Sequence, residues 1–341
     1  MARDRIPSKT SRQEDEAVQY KHLGASGLIV SQIGLGTNAF GGRADQETSI
    51  QIIHAALDHG VTLLDTANGY CGGESERIIG QALRDRRNQV VLSTKAGLPV
   101  REGVYGHGTS RRHLMQELEA SLQRLDTDYI DLYYVHTFDP NTPLEETLST
   151  LDQMVKSGKV RYVAASNYEA WELMKALGLS QRLNLVSFVG IQTSYSLADR
   201  TPERDLVPLV SDQGLGIVAY YPLAGGILSG KYRDNKIPPG SRVERNPGFA
   251  RRLDRARIEL SETVARLAEE CEVTPVALAL RWLVERPQVS SAIVGATRVD
   301  QMEQNLNALA INYGADIEKK LDQATLGFID GPRFGWYRLD S

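Results

Sequence analysis

The chain has 341 residues and a net charge of −4, from 39 basic and 43 acidic side chains. This mild acidic balance provides no positive field for nucleic acid or an anionic membrane. Its two cysteines, Cys71 and Cys271, argue against a disulfide framework and favour a reducing compartment. No apolar run approaches the ~20 residues of a transmembrane helix, and the charged first segment lacks the apolar centre of a signal peptide. We therefore expect a cytoplasmic globular protein.

The chain begins with a charged stretch and then alternates between two kinds of segment. Residues 1–17 predict a disordered tail, which leaves 18–341 as a single folded domain. Two half-apolar segments within 19–30 flank a glycine-rich turn and predict a β-hairpin. Short apolar runs then alternate with segments of helical spacing. The predicted strands are 32–35, 61–64, 90–93, 129–135, 160–164, 187–192, 216–219 and 291–294, and examples of predicted helices are 47–57, 75–83, 111–125, 144–155 and 256–268.

The number of these units indicates the fold class. Eight strand-then-helix units with short links predict a parallel α/β sheet, and eight is the number that closes a (β/α)8 TIM barrel. A doubly wound sheet is the alternative. Gly34 and Gly36 lie at the end of the first predicted barrel strand, but no third glycine stands where a dinucleotide-binding fingerprint requires it. The barrel is therefore the preferred prediction.

Two segments interrupt the alternation. Residues 231–254 are rich in proline, glycine and arginine, and loops of that length in a compact domain are usually functional lids or disordered. Thr274 followed by Pro275 predicts the start of an extra helix over 274–284, with the threonine as N-cap. We expect a barrel with an N-terminal hairpin, a long covering loop and extra C-terminal helices.

Polar side chains follow six of the predicted strands. In a barrel of this type the active site lies at the carboxyl ends of the strands, where these side chains would meet. Each alone has an ordinary structural explanation, such as capping a turn or facing solvent in a loop. Together they predict one polar site. They are Asp65, Lys95, His136, Ser166, Asn167, Gln192, Tyr220 and Tyr221.

Four groups at this rim have the chemistry of carbonyl reduction. A hydride that moves onto a carbonyl carbon leaves negative charge on oxygen, so a proton donor must lie beside it. Tyr70 can donate, although a free tyrosine pKa of about 10 is high for work at neutral pH. We expect Lys95 to lower this pKa and Asp65 to hold the lysine in place. His136 would orient the carbonyl oxygen, which completes a predicted catalytic set of Asp65, Tyr70, Lys95 and His136.

The segment 64–70, LDTANGY, resembles a signature of the aldo-keto reductases. Further matches follow in the family's order from about residue 20 to 310, and the whole run is far more specific than any one piece. The resemblance implies the (β/α)8 fold, a nicotinamide cofactor, and reduction of an aldehyde or ketone to an alcohol, or oxidation of a sugar or alcohol in reverse. The other matching segments are 74–76 with Gly80, 93–95, 127–132, His136, 158–162, 166–167, 192–196, 222–226 with 230–231, and 295–297 with Gln301 and Asn305.

The resemblance also implies which residues contact the cofactor. The loop 231–254 would cover it, and residues 237–242 resemble a segment of the branch that contains potassium-channel β-subunits and bacterial general-stress-type members, whose arginine reaches the phosphates. The implied cofactor-binding residues are Thr37, Asp65, Ser166, Asn167, Gln192, Tyr220, Tyr221, Pro222, Leu223, Gly225, Lys231, Arg242, Gly295, Thr297, Arg298, Gln301, Gln304 and Asn305. The implied substrate pocket consists of Phe40, Tyr70, His136 and Trp336, and no metal site is expected.

This sequence departs from the family pattern at a few positions. Cys71 stands where many relatives have glycine, and Tyr221 replaces a common serine. The adenosine-end segment has Arg298 as its only cation and lacks the basic pair of strictly NADPH-specific relatives. A guanidinium group can donate two parallel hydrogen bonds to the 2′-phosphate that distinguishes NADP(H) from NAD(H). We therefore expect NADP(H) to be preferred, with NAD(H) left open.

A second hypothesis is a nucleotide-binding regulatory or channel-associated subunit with little turnover. The complete catalytic set favours an enzyme, although channel subunits of this type can keep the set. The expected partner is a small carbonyl or alcohol substrate, with no nucleic acid or membrane partner. The sequence leaves open the substrate, the direction of reaction, a homo-oligomeric state and the role of Cys71.

Overall fold

The computed structural model describes residues 18–232, 237–239, 241–335 and 337–339, apart from the side chains of residues 242, 245, 247 and 248. The strands in these residues are β1 (Tyr20–His22), β2 (Ile29–Ser31), β3 (Ile33–Gly36), β4 (Leu63–Asp65), β5 (Val91–Ala96), β6 (Ile130–Val135), β7 (Val160–Ser166), β8 (Gly190–Ser194), β9 (Gly216–Tyr220) and β10 (Val289–Gly295).

The helices of the described residues follow most of these strands. The α-helices are α1 (Gln46–Asp58), α2 (Glu74–Ala82), α3 (Arg111–Leu125), α4 (Leu144–Lys156), α5 (Ala170–Leu183), α6 (Leu206–Gln213), α7 (Arg242–Arg245), α8 (Pro247–Ala250), α9 (Arg255–Glu270), α10 (Pro275–Val284), α11 (Val299–Leu306) and α12 (Ala315–Thr325). Short 3-10 helices lie at Tyr70–Gly73, Arg87–Gln89, Thr201–Glu203, Ala224–Ser229, Asn307–Leu309 and Leu326–Phe328.

Strands β3 to β10 form a closed barrel in which neighbouring strands are parallel. Strand β10 pairs with β3 and thereby closes the ring, with Gly295 opposite Gly36. Each predicted strand is present, with its ends shifted by a few residues. The predicted (β/α)8 barrel is confirmed, and the doubly wound alternative is wrong because the sheet has no open edges.

The antiparallel hairpin β1–β2 covers the amino-terminal end of the barrel, as predicted. Gly24 in its turn has a φ of +59°, and a Cβ there would lie 2.5 Å from the Gly214 carbonyl oxygen. A Cβ on Gly216 would in turn lie 2.6 Å from the Gly24 nitrogen, so both positions need glycine. Leu23 is fully buried and packs against side chains inside the barrel, including Leu63, Leu132, Tyr134, Ala164, Val218 and Ile293. The hairpin therefore plugs this end of the barrel.

Local sequence signals position the surrounding helices. Asp45 accepts a hydrogen bond from the Thr48 amide at the start of α1, which satisfies one of the free donors of that helix end. The predicted extra helix α10 is confirmed, with Thr274 as its N-cap and Pro275 as its first residue. Helix α12 and the 3-10 helix after it confirm the extra C-terminal helices. No helix in the described residues is long and apolar enough to cross a membrane.

The predicted loop 231–254 is not irregular throughout, because it contains α7 and α8. Asn246 caps α8 by accepting from the Phe249 amide, and Pro247 occupies the first helical position. These are ordinary helix-start signals, but the surrounding prolines and glycines obscured them. The predicted tail at 1–17 lies outside the described residues.

Candidate active site

A buried ion pair lies at the carboxyl ends of β4 and β5. Lys95 Nζ is 2.6 Å from Asp65 Oδ2 and also donates to the Thr66 carbonyl at 2.6 Å. The lysine side chain has no exposed surface and that of the aspartate is 5% exposed. Asp65 Oδ1 accepts from Ser93 Oγ and from Gln192 Nε2, both at 2.8 Å. Every charge and polar atom of the pair is therefore compensated, as burial requires.

Tyr70 and His136 lie beside this pair. Tyr70 begins the 3-10 helix after β4, and the centre of its ring is 5.2 Å from Lys95 Nζ. The rings of Tyr70 and His136 meet edge to face with their centres 6.2 Å apart. The structure thus brings the four predicted residues together at the open end of the barrel.

The ionisation of the pair and the tyrosine differs from the expectation drawn from the sequence. Burial raises the pKa of Tyr70 well above its ordinary value, and the negative charge of Asp65 raises it further. Burial lowers the pKa of Lys95, against the opposing attraction of Asp65. The net shift of the Tyr70 pKa is therefore upward here, whereas the sequence led us to expect a lowered value. The arrangement keeps the phenol protonated and able to donate.

His136 is neutral in this environment. Burial lowers its pKa well below the ordinary histidine value, and the positive charge of Lys95 lowers it further. Its Nδ1 atom is buried and has no hydrogen-bond partner among the described residues. Its backbone is fixed on both sides, because its N–H donates to Ala96 and its carbonyl accepts from Asn167 Nδ2 at 2.9 Å. A neutral imidazole held in this way can donate one hydrogen bond to a carbonyl oxygen.

The amide groups at the ends of β7 and β8 already contact one another and the ion pair. Asn167 Nδ2 donates to Ser166 Oγ at 3.1 Å, and Asn167 Oδ1 accepts from the Tyr220 hydroxyl at 2.7 Å. Gln192 donates to Asp65. The Asn167 backbone N–H donates to the Gln192 carbonyl at 3.1 Å, so the predicted carboxamide-holding residues form one connected network that reaches the ion pair.

Strained backbone conformations surround the same opening. Positive φ angles occur at four non-glycine residues there: Cys71 (48°), Asn167 (56°), Tyr221 (54°) and Ala224 (46°). Each such conformation costs about 1–3 kcal/mol and persists only where the surrounding structure enforces it. Strain of this kind concentrates at binding sites.

A turn after β9 has the features of a phosphate site. Ala224, Gly225 and Gly226 have φ angles of 46°, 63° and 99°. A Cβ on Gly225 would lie 2.0 Å from the Phe249 ring, so no larger residue fits. The Lys231 ammonium lies 2.9 Å from the position of a Cβ on Gly226. Successive left-handed residues can turn amide groups towards one concavity that suits an anion, so these residues fit the pyrophosphate of a dinucleotide.

The predicted adenosine-end residues lie at the end of β10 and along α11. The Thr297 amide and hydroxyl both donate to Gln301 Oε1, at 2.9 and 3.2 Å. Arg298 is exposed and forms a bidentate pair with Asp300, at 2.9 and 3.1 Å. That partner was not anticipated from the sequence. Among the other predicted residues of this part, Gly295 and Gln304 are exposed and Asn305 is buried.

Some predicted residues do not line the site. Phe40 has no exposed surface and packs in the hydrophobic core, so its prediction as a pocket residue is wrong. Thr37 is also fully buried, and its hydroxyl donates to the Asp65 carbonyl at 2.9 Å. Trp336 and the side chain of Arg242 lie outside the described residues. Within the described part of the chain, no three His, Cys, Asp or Glu side chains form a group that could hold a metal ion.

The C-terminal segment contributes residues that the sequence reasoning missed. The Tyr221 and Tyr337 hydroxyls are 2.9 Å apart, and the Tyr220 hydroxyl donates to the Gly335 carbonyl at 2.8 Å. No sequence signal places Tyr337 there, because the contact depends on how the chain end crosses the barrel. Ser93 was missed as well, although it lies two residues before Lys95 and strand periodicity gives both the same face.

Comparisons with known proteins agree with this arrangement. Residues 32–325 match the profile described as the aldo/keto reductase family. A probable voltage-gated potassium channel subunit beta of Arabidopsis thaliana is 37% identical over 305 residues, which are 86% of this chain and 92% of that protein. The L-glyceraldehyde 3-phosphate reductase of Escherichia coli (strain K12) is 35% identical over 332 residues, 94% of this chain and 95% of that protein.

A third relative also matches nearly the whole chain. The protein named aldo-keto reductase YhdN of Bacillus subtilis (strain 168) is 34% identical over 328 residues, 93% of this chain and 97% of that protein. The matched residues include all eight barrel strands and the whole polar rim at their carboxyl ends. The chain therefore belongs to the aldo/keto reductase family, whose members are oxidoreductases that generally use a nicotinamide cofactor.

Proposed function

We propose that this protein reduces an aldehyde or ketone to an alcohol with NAD(P)H, or runs the reverse oxidation of a sugar or alcohol, with Tyr70 as the proton donor. The observation that carries the proposal is the buried Lys95–Asp65 pair beside Tyr70 and a neutral His136. If the ion pair only stabilised the fold, it would not need a protonated tyrosine and an uncharged imidazole beside it at the same opening.

The nicotinamide would supply the hydride when bound. Ser166, Asn167 and Gln192 would hold its carboxamide, since their polar groups lie beside the ion pair. Tyr220 or Tyr221 would stack on the ring. The turn at 222–226, with Lys231, would contact the phosphates. We further propose that the enzyme prefers NADP(H) and acts in the cytoplasm.

Tyr70 provides the proton in this scheme. Its raised pKa keeps the phenol protonated at neutral pH. As negative charge develops on the carbonyl oxygen, the O–H bond breaks and the proton moves to that oxygen. The phenolate that remains lies near Lys95, whose positive charge favours it. Asp65 keeps the lysine in position, and solvent returns the proton before the next turnover.

His136 orients the carbonyl oxygen. Because its pKa is lowered, it does not compete with Tyr70 as the acid and offers a neutral N–H donor. Holding the oxygen between His136 and Tyr70 fixes the distance over which the proton moves, and such positioning lowers the barrier.

A regulatory or channel-associated subunit with little turnover is the second candidate. The name of the Arabidopsis relative favours it, whereas the reductase names of the other two favour an enzyme. The intact set of Asp65, Tyr70, Lys95 and His136 supports turnover, because a pure binder would tolerate its loss.

The test is consumption of NADPH and of NADH with 4-nitrobenzaldehyde, followed by a panel of aldehydes, ketones and aldoses in both directions. We expect turnover with wild-type protein and a loss of it in Tyr70→Phe. Tight NADPH binding without turnover on any substrate would favour the regulatory subunit.

A further inference from the structure

Glu117 is a buried carboxylate that the proposed mechanism does not use. It lies on α3 and is 3% exposed. Its Oε2 atom accepts from Asn68 Nδ2 at 2.8 Å, and its Oε1 atom pairs with Arg101 Nη1 at 2.5 Å. Each oxygen thus has a donor from a different segment, and neither donor belongs to the helix that carries the carboxylate.

The first donor belongs to the turn that carries Tyr70. Asn68 stands two residues before Tyr70, and its backbone N–H donates to the Lys95 carbonyl at 3.1 Å. The Tyr70 N–H in turn donates to the Ala67 carbonyl at 3.1 Å. We call residues 66–70 the Tyr70 turn. Glu117 therefore holds the side chain of Asn68, while the backbone of the same residue is bonded to β5.

The second donor belongs to the loop at 97–110 between β5 and α3, called here the β5–α3 loop. Arg101 Nη2 donates to the Tyr105 carbonyl at 3.1 Å, and His113 Nδ1 contacts the same carbonyl at 2.9 Å. The loop starts beside His136, whose backbone nitrogen is 3.6 Å from the position of a Cβ on Gly97. Its tip carries the exposed Val104.

The loop and the turn also touch directly. A Cβ on Gly69 would lie 3.1 Å from Val100 Cγ1, so the glycine allows the loop to pack beside the turn. Burial alone would raise the pKa of Glu117, but the hydrogen bonds from Arg101 and Asn68 outweigh it and hold the pKa below its ordinary value. A charged carboxylate this deeply buried is stable only while its donors stay in place.

We propose that Glu117 is a positioning residue that couples the β5–α3 loop to the Tyr70 turn, so that the order of the loop at the substrate opening sets the position of the Tyr70 phenol. The coupling itself rests on Glu117, Arg101 and Asn68. Its effect on turnover rests on the proposed role of Tyr70 as proton donor.

The kinetic test removes the two donors rather than the buried carboxylate, because Glu117 variants could fail to fold. Arg101→Gln and Asn68→Ala should each lower kcat for an aldehyde by roughly tenfold to hundredfold, the scale of small displacements of a reacting group. Their effects should be non-additive in the double variant. The dissociation constant for NADPH should change less than about twofold, because no donor reaches the cofactor residues.

Arg112→Gln is the matched control. Its guanidinium lies 4.3 Å from the centre of the Tyr105 ring, so it contacts the same loop from the same helix without touching Glu117. We expect wild-type kinetics for this variant. Additive effects of Arg101→Gln and Asn68→Ala, or a loss in Arg112→Gln equal to that in Arg101→Gln, would overturn the proposal.

Amide hydrogen exchange tests the coupling without any turnover. Arg101→Gln should speed exchange in residues 66–72, and Asn68→Ala should speed exchange in residues 98–108, although neither change lies in the segment that responds. Exchange that rises only around each substitution would refute the coupling. If wild-type protein reduced no carbonyl at all, the proposed function would fail while this measurement would still decide the coupling.

Discussion

The ammonium of Lys95 and the carboxylate of Asp65 lie 2.6 Å apart, with no exposed surface on the lysine and 5% on the aspartate side chain. Removing one partner leaves the other buried and uncompensated, so Asp65→Asn and Lys95→Met should each destabilise the fold by about 3–5 kcal/mol. The double variant should lose clearly less than the sum. Urea unfolding measures the free energy of unfolding of the two single variants and of the double variant.

Lys159→Met provides the control for this cycle. Lys159 pairs with Glu119, and the two side chains are 40% and 47% exposed. Loss of an exposed pair should change stability by less than about 1 kcal/mol. Strictly additive losses in the Asp65 and Lys95 variants would show that the two residues do not act as a unit.

Tyr70→Phe should lower kcat for carbonyl reduction by roughly 10²-fold or more, the scale of general acid catalysis. Cofactor affinity should barely change, because the ring remains. Tyr129→Phe is a suitable control, since that ring lies under Arg87 and Arg161 at the other end of the barrel. Unchanged turnover in Tyr70→Phe would remove its assignment as the donor.

The pH profile follows from two opposite shifts. The pKa of His136 is lowered by burial and by Lys95, so the imidazole is already neutral at pH 7 and stays neutral as the pH falls through ~6.5. The pKa of Tyr70 is raised, so the phenol stays protonated as the pH rises towards ~10. We expect kcat/KM for reduction to be nearly flat between about pH 6 and pH 9.

Stopped-flow or steady-state rates across this range check the profile. An inflection near pH 6.5 that disappears in His136→Gln would show that the histidine titrates in the working range, against the expected neutral donor. An alkaline loss well below pH 9 that disappears in Tyr70→Phe would contradict the raised pKa of the tyrosine.

Cofactor choice should depend on the Arg298–Asp300 pair. If Arg298 meets the 2′-phosphate, Arg298→Ala should weaken NADPH binding by roughly tenfold or more, the scale of a charge-assisted hydrogen bond, and leave NADH binding nearly unchanged. Asp300→Asn should strengthen NADPH binding, because the arginine now loses its bidentate partner. High salt should weaken NADPH more than NADH.

Fluorescence titrations with both cofactors test this prediction. Equal losses for NADPH and NADH in Arg298→Ala would exclude a role at the 2′-phosphate. A higher affinity of wild-type protein for NADH than for NADPH would overturn the cofactor preference itself.

Much of the fold follows from short-range patterns. The alternation of strands and helices, and the Thr274-Pro275 start of α10, depend on residues a few positions apart, so the sequence alone predicts them. The meeting of Asp65, Lys95 and His136 at one rim was also predictable, because any polar residue that follows a barrel strand reaches the same rim. A predicted strand end that is wrong by a few residues still places the following side chain at the carboxyl end of the barrel.

The tertiary structure alone decided the ionisation and the contacts at that rim. The pKa of Tyr70 depends on how deeply its ring is buried and on Asp65, and neither can be read from spacing. Phe40 is buried and Arg298 has an acidic partner, although the sequence favoured a pocket residue and an open phosphate ligand. Glu117 gains its two donors only because separate segments fold onto α3. Burial and charge pairing are set by distances between residues far apart in the chain, and only the folded structure fixes those distances.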